Sequence, residues 1–332
     1  MDIVTQGLLG AALAQAAASK QETRLATGIG FAAALLADAD TLIRSANDPL
    51  LNIEFHRHFT HSLIFIPIGG LLAALILWPF LRRQITFKRL YFFAFLAYAT
   101  SGLLDACTSY GTQLLWPFSD ERIAWRIIAI VDPVFSLTLL AAIIFSWRKQ
   151  KSTPAQIGLL LAGAYLLLGV FQHQRAYDLA EQLAVNRGHE IERLIVKPTM
   201  ANNLLWRSVY ESDGEFYVDG IRVGLLGGVQ VYEGSRARRF VFERDMPELK
   251  TNSPLRHDIE RFLYFSEDFV IADPTRENVL VDVRYSMLPT GLAPLWGIDL
   301  NVESATQHAQ FVNYRDRSVD TRELFIWMLL GK

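Results

Sequence analysis

The chain contains a single cysteine, Cys107, among 332 residues. One thiol excludes an intramolecular disulfide and a zinc site built from cysteines, and Cys107 reads as a small buried apolar side chain. An excess of either charge is also missing. There are 32 Lys and Arg against 34 Asp and Glu, a net charge of −2, with a pI near 6.4. A nucleic-acid partner is therefore not expected. The first twenty residues, MDIVTQGLLGAALAQAAASK, lack a basic stretch ahead of their apolar part and carry the acidic Asp2, so no cleaved signal peptide is expected. Internal repeats and low-complexity tracts are absent from the sequence as well.

What is abundant is apolar surface. The chain is 51% hydrophobic and its mean hydropathy is +0.20. Its apolar runs lie before about residue 173, and most of the charge and the period-2 patterns follow. The expected fold class is an α-helical polytopic membrane domain followed by a small extracytoplasmic α+β domain with a largely antiparallel sheet. The boundaries are 1–175 for the membrane domain, 176–195 for an amphipathic connector, and 196–332 for the α+β domain.

Residues 3–18 and 25–37 are short stretches rich in Ala and Gly, suited to close helix packing but shorter than the roughly 20 residues of a straightforward span. Four clearer spans follow, at 62–81, from LYFFAFLAYATSGLL, at 133–147 and at 156–171, which leaves the total at four or six. The basic loops at 82–89 and 148–151 mark the cytoplasmic side. Asp38, Asp40, His56, His61, Asp105, Asp132 and His173 then all fall at external helix ends, on the side of the C-terminal domain. Beyond them, Arg187-Gly188 predicts a helix break and SDG a hairpin turn. RRFVFE, DFVIAD, VLVDVRYSM and LWGIDL read as strands, and residues 254–265 as a helix.

FHRHFTHSLIF, residues 55–65, concentrates three histidines and an arginine at the edge of an apolar run, where a lipid-facing helix would not carry them without cause. Imidazole and carboxylate ligands with one open position are what a hydrolytic metal site requires. A turn between His56 and His61 would bring both to one point; Asp38 or Asp40 and Asp105 would come from other helix ends. Arg57 suits an anionic oxygen such as a phosphate. Plainer readings stand beside these. Asp40 can cap a helix, Asp132 before Pro133 is a helix-start signal, and His58 reads as exposed, or as a support behind the ligands, rather than as a ligand itself. His189, His257 and His308 lack partners at metal-site spacing.

LADAD, FHRHFTHSLIF, LLDACTSYGTQLLWPFSDERIAW and IVDPVF together resemble the membrane-bound metal-dependent hydrolase family of bacterial inner membranes. The resemblance covers residues 1 to about 175 closely, and NNLLWRSVY, LYFSEDFVIAD and VLVDVRYS more loosely. That family is distantly similar to zinc-dependent phospholipase C. The resemblance implies a divalent metal, zinc first, held by Asp38 or Asp40, His56, His61 and Asp105. It further implies Arg57, Thr60, Ser62, Thr108, Tyr110, Gln113 and Asp132 as supporting or substrate-facing groups. One position departs from the pattern: the family's histidine four residues before the Asp of LLD is Ser101 here.

The expected activity is hydrolysis of an ester or phosphoester of a lipid or other envelope substrate at the external face. A metal-bound water would be the nucleophile, with Asp38 or Asp40 as base. The loop 108–125 then either lies on the bilayer beside the metal or only anchors Trp116 and Trp125 in the aromatic belt. The rival is a non-catalytic membrane scaffold whose His/Asp cluster is a structural ion or hydrogen-bond site and whose external domain binds a partner. A transporter fits less well, because the ionisable groups gather at one face rather than at midplane.

Overall fold

A computed structural model describes residues 1–45, 47–250, 252–300, 307–314 and 318–332. The chain divides into two compact units, one made of residues 1–43, 55–171 and 200–202, the other of 44–54, 172–199 and 203–332.

The first unit is helical. Its helices are α1 (Ile3–Ala16), α2 (Thr23–Leu35), α3 (Leu51–Phe55, shared with the second unit), α4 (Ile66–Leu81), α5 (Phe87–Ala106), α6 (Pro133–Lys149) and the start of α7 (Thr153–Asn186). Asp2 caps α1 by accepting from the Val4 and Thr5 N–H groups, and Asp132 caps α6. Small residues set the spacing of the bundle. A Cβ on Gly10 would lie 2.7 Å from the Gly30 carbonyl oxygen, so α1 and α2 touch backbone to backbone. Short 3-10 turns at Ala37–Leu42, Phe59–His61 and Leu63–Phe65 join the helices near the site.

Among the described residues, three helices are long and apolar enough to cross a membrane: Thr23–Leu42, Leu63–Leu81 and Thr153–Asn186. The first includes the 25–37 stretch that looked too short, because α2 runs on into the 3-10 turn. The LYFFAFLAYATSGLL and 133–147 runs form α5 and α6, but neither is among those three. On α5, Leu90, Phe93, Ala94 and Ala97 are fully buried, while Phe92 and Leu103 are exposed.

The second unit holds the rest of α7 and two antiparallel sheets. Residues 176–186 of the expected connector continue α7, which ends at Asn186 just before the Arg187-Gly188 break. The first sheet comprises β1 (Arg193–Pro198), β2 (Leu205–Ser212), β3 (Glu215–Val223) and β4 (Val229–Tyr232), with β5 (Arg236–Arg238) paired to β3. The SDG hairpin turn joins β2 to β3. The second sheet orders β6 (Val270–Ala272), β7 (Val279–Asp282), β8 (Trp296–Asp299) and β9 (Gln310–Asn313). Val209, Phe216 and Val218 pack with Phe269, Ile271 and Val281 to form the core between the sheets.

Three further helices belong to this unit: α8 (Phe242–Asp245), α9 (Pro254–Phe265) and α10 (Val319–Leu330). RRFVFE, expected as one strand, is split instead. Its first residue ends β5, and Phe242–Asp245 turns into α8, where the Asp245 carboxylate accepts from the Val241 N–H. A local side-chain bond thus wins over β-propensity.

Candidate metal centre

The site is built where four short segments of the helical unit meet. The 3-10 turn after α2 carries Asp38 and Asp40, the loop before α4 carries His56 to Ser62, the end of α5 carries Asp105, and the loop after α5 carries Thr108 to Gln113. Gly102 on α5 allows the contact. A Cβ there would lie 2.1 Å from the His61 carbonyl oxygen, so only glycine lets the histidine loop rest on the helix.

Asp40 organises the loop. It is fully buried and accepts from the Arg57 backbone N–H at 2.9 Å and from the Thr60 hydroxyl at 2.7 Å. Its two oxygens also meet His56 Nδ1 at 3.0 Å and His61 Nδ1 at 3.1 Å. The other edge of His61 faces different carboxylates: Nε2 lies 3.4 Å from Asp38 Oδ1 and 3.2 Å from Asp105 Oδ2. The ligand atoms of Asp38, His61 and Asp105 all lie within 4.8 Å of one another. His61 Nε2 and Asp105 Oδ2 are buried and make no hydrogen bond among the described residues.

That donor set fits a divalent metal: one imidazole nitrogen and two carboxylates, with further positions open, is an ordinary oxygen–nitrogen environment for zinc. Asp40 behind His61 completes the arrangement in which a carboxylate fixes the tautomer of a ligating imidazole. Burial by itself would lower the His61 pKa, but the surrounding carboxylates of Asp105, Asp38 and Asp40 outweigh it and raise it to about 10. His56 shifts the other way. Burial, helped by the Arg57 charge, overcomes the Asp40 hydrogen bond and lowers its pKa.

Arg57 lies beside the cluster with its Nε 3.1 Å from Asp105 Oδ2, and Nη1 donates to the Thr108 hydroxyl at 2.9 Å. Its guanidinium covers the ring of Tyr110 at 5.0 Å, and Arg122 lies 5.5 Å from the centre of that ring. The N-terminal amine of Met1 contacts the other oxygen of Asp105.

The remaining expected residues have definite places. Ser62 donates to the Phe59 carbonyl and Ser101 to the Ala34 carbonyl, so the Ser101 hydroxyl ties α5 to α2. Gln113 bonds through its backbone N–H to the Arg57 carbonyl and through its side chain to the Asp120 carbonyl. Asp132 lies outside the cluster; it caps α6 and accepts from the Tyr165 hydroxyl at 2.8 Å. His173 meets the Val196 carbonyl oxygen in the second unit. His56 also stands apart from the three-atom group.

Sequence reasoning passed over Tyr98, whose hydroxyl donates to the Thr60 carbonyl, and Arg122, which donates to the His56 and Gly111 carbonyls. Both act on backbone oxygens, which leaves no residue-type signature. In the second unit Asp48, Asp258 and His308 also come together, but Arg261 already pairs with both carboxylates, at 2.8 and 3.3 Å.

Comparison with known proteins adds a membrane identity and no activity. The chain is 31% identical over 184 residues to the uncharacterized protein YfhP of Bacillus subtilis, covering 54% of each. It is 34% identical over 105 residues to the inner membrane protein YbcI of Escherichia coli, covering 30% of this chain and 60% of that protein. The matched regions thus span little more than half the length of either relative. No solved structure matches significantly. The family model described as YdjM inner membrane protein matches residues 1–176, the stretch that contains every residue of the site, and the chain belongs to that inner membrane protein family.

Proposed function

We propose that the helical unit binds a divalent cation, zinc first, through Asp38, His61 and Asp105, and hydrolyses an ester or phosphoester of a lipid or other envelope molecule. The observation that carries this reading is the convergence of three ligand atoms within 4.8 Å, two of them buried without a hydrogen bond. When bound, the ion supplies Lewis acidity and a water acidic enough to attack near neutral pH. The chain's own groups do the rest. Asp40 holds the His61 ring with Nε2 toward the cluster, and its other oxygen holds His56. His56, half-buried beside the Arg57 cation, is kept neutral and can accept a proton. Arg57 offers its guanidinium to an anionic oxygen of the substrate. The basic loops at 82–89 and 148–151 support a multi-pass arrangement with the site and the C-terminal domain on the external side.

The test is elemental analysis and a phosphoester and lipid-ester screen on the detergent-purified full chain. The native protein should hold about one metal ion, His61→Ala should lose it, and His56→Ala should keep the metal and lose turnover. A native protein that takes up no metal after supplementation refutes the reading.

One observation favours a scaffold. Arg57, His61 and the Met1 amine already oppose Asp38 and Asp105. As a structural network the cluster would pin the short helices together, and the β-rich unit would bind a partner. Chelation separates the readings: a structural ion takes folding with it, whereas a catalytic one takes activity and leaves the fold.

A further inference from the structure

The second unit exposes apolar surface in an unusual place. The loop joining β3 to β4, Gly224-Leu225-Leu226-Gly227-Gly228, presents Leu225 at 56% exposure and Leu226 fully exposed. Beside it, the last turns of α10 read FIWMLL, and of these only Met328 is buried. Ile326, Trp327 and Leu330 are exposed, as is Val229 at the start of β4. The two features form one surface because α10 is fixed to this hairpin. Arg222 Nε donates to the Leu329 carbonyl, the Tyr232 hydroxyl to the Met328 carbonyl, and Trp327 lies 5.8 Å from the Tyr232 ring. Helix turns that are apolar on all sides yet barely buried lack their solvent.

Two contacts show which way the hairpin tip points. Near the C-terminal end of α7, Arg187 pairs with Asp219 in the middle of β3. Further back, Gln172 Nε2 donates to the Val223 carbonyl and Arg175 Nη1 to the Gly224 carbonyl. β3 therefore runs back along the 172–187 stretch of the same unit, and its C-terminal end meets Gln172 and Arg175 at the start of that stretch. Gln172 directly follows the apolar run 156–171 of α7, a helix long and apolar enough to cross a membrane. From Phe171 to Arg175 is only about 6 Å of helix, at roughly 1.5 Å per residue. The loop that carries the leucines thus begins beside Gln172, the residue at which the apolar run of α7 ends.

We propose that the β3–β4 loop and the C-terminal turns of α10 insert into the headgroup–acyl boundary of the membrane that α7 spans, as an interfacial anchor for the β-rich unit. The surface has the makeup such contacts use: leucines at a loop tip, a tryptophan at the boundary, and Arg222 and Lys332 close by for anionic headgroups. The inference rests on α7 and the apolar residues alone and does not depend on any metal or hydrolase activity.

The test is spin-label accessibility on the full chain reconstituted in nanodiscs containing phosphatidylglycerol, in a Cys107→Ala background. Nitroxides are attached at Leu226→Cys, Leu330→Cys and, as a control, Asp213→Cys. Asp213 is in the turn at the opposite end of β3, about 30 Å away at roughly 3.3 Å per residue. All three positions are exposed, so labelling disturbs no core. Leu226 and Leu330 should be relaxed by oxygen several-fold more than by a water-soluble nickel chelate, with the order reversed at Asp213. Aqueous behaviour at Leu226 or Leu330 overturns the proposal. So does shielding of Leu226 from both relaxants, which would mean that protein, a second copy or another partner, covers the tip.

Discussion

Replacing Gly102 with alanine tests the geometry of the site without touching a ligand. In an exposed helix interior the change would gain about 1 kcal/mol, because alanine is the better helix former. At this position the new Cβ would lie 2.1 Å from the His61 carbonyl oxygen and 3.1 Å from Leu114 Cδ2. The nearer atom is backbone, so no rotamer change relieves the clash. An ordinary contact needs more than 3 Å, and the 59–62 loop must retreat by about 1 Å. Overpacking of that kind costs about 1–3 kcal/mol, which outweighs the helix-propensity gain. The same movement pulls His61 away from Asp105 Oδ2, now 3.2 Å from its Nε2. Disturbing the support of a ligating histidine typically weakens metal binding about 10- to 100-fold. The assay is zinc titration by competition with a chromophoric chelator, beside thermal unfolding of the detergent-solubilised chain. Gly102→Ala should bind zinc at least tenfold more weakly and melt lower than the native protein. Native affinity with unchanged or higher stability would refute the claim that this helix and the His61 loop form one site.

Other outcomes follow from the same structure. Ser101→Ala removes the hydroxyl that bonds the Ala34 carbonyl and should cost about 1 kcal/mol in the unfolding of the helical unit while leaving zinc affinity unchanged. The raised His61 pKa means that without metal the imidazole is protonated at pH 7, so zinc must displace that proton. Calorimetry in buffers of different ionisation enthalpy should show about one proton released on zinc binding, with affinity rising as pH rises, and no release would contradict the assignment. By linkage, the protonated His61 stabilises the metal-free fold fully below its unfolded pKa near 6.5, and that stability disappears as pH rises through about 10. A pH series of melting temperatures on the chelated chain measures it. In the second unit, Arg284→Met strands the buried Asp282 carboxylate, which Arg284 now holds at 2.7 Å. That should cost about 3–5 kcal/mol, read from the protease resistance of the β-rich unit.

The parts of the fold that are legible in the sequence are those with a local cause. Ser253-Pro254 opens α9 and the SDG turn joins β2 to β3, because capping and turn chemistry lie within a few residues of where they act. The division of labour between Asp38 and Asp40 is different in kind. The two are separated by one residue, and nothing local says which faces the cluster. The 3-10 turn directs Asp40 at Nδ1 of His61 and Asp38 at Nε2, a choice made by where the His61 loop packs. Tyr98, Arg122 and Gly102 escaped notice because they act through backbone atoms or through the lack of a side chain. The span count is met in part: among the described residues three helices are long and apolar enough to cross a membrane, Thr23–Leu42 among them because α2 runs on into a 3-10 turn.

Arg57 has φ +61°, a left-handed conformation in which a residue with a Cβ is strained by about 1–2 kcal/mol. Asp40 accepting its N–H and Gln113 donating to its carbonyl hold it there. Chosen for backbone comfort alone, residue 57 would be glycine. Glycine, however, would remove the guanidinium that lies between Asp105, Thr108 and Tyr110. The two demands conflict at one residue, and the cation has prevailed. In Arg57→Gly the backbone relaxes while the buried Asp105 carboxylate loses the cation beside it, so the relief of strain is set against the loss of an ion pair worth more than the strain.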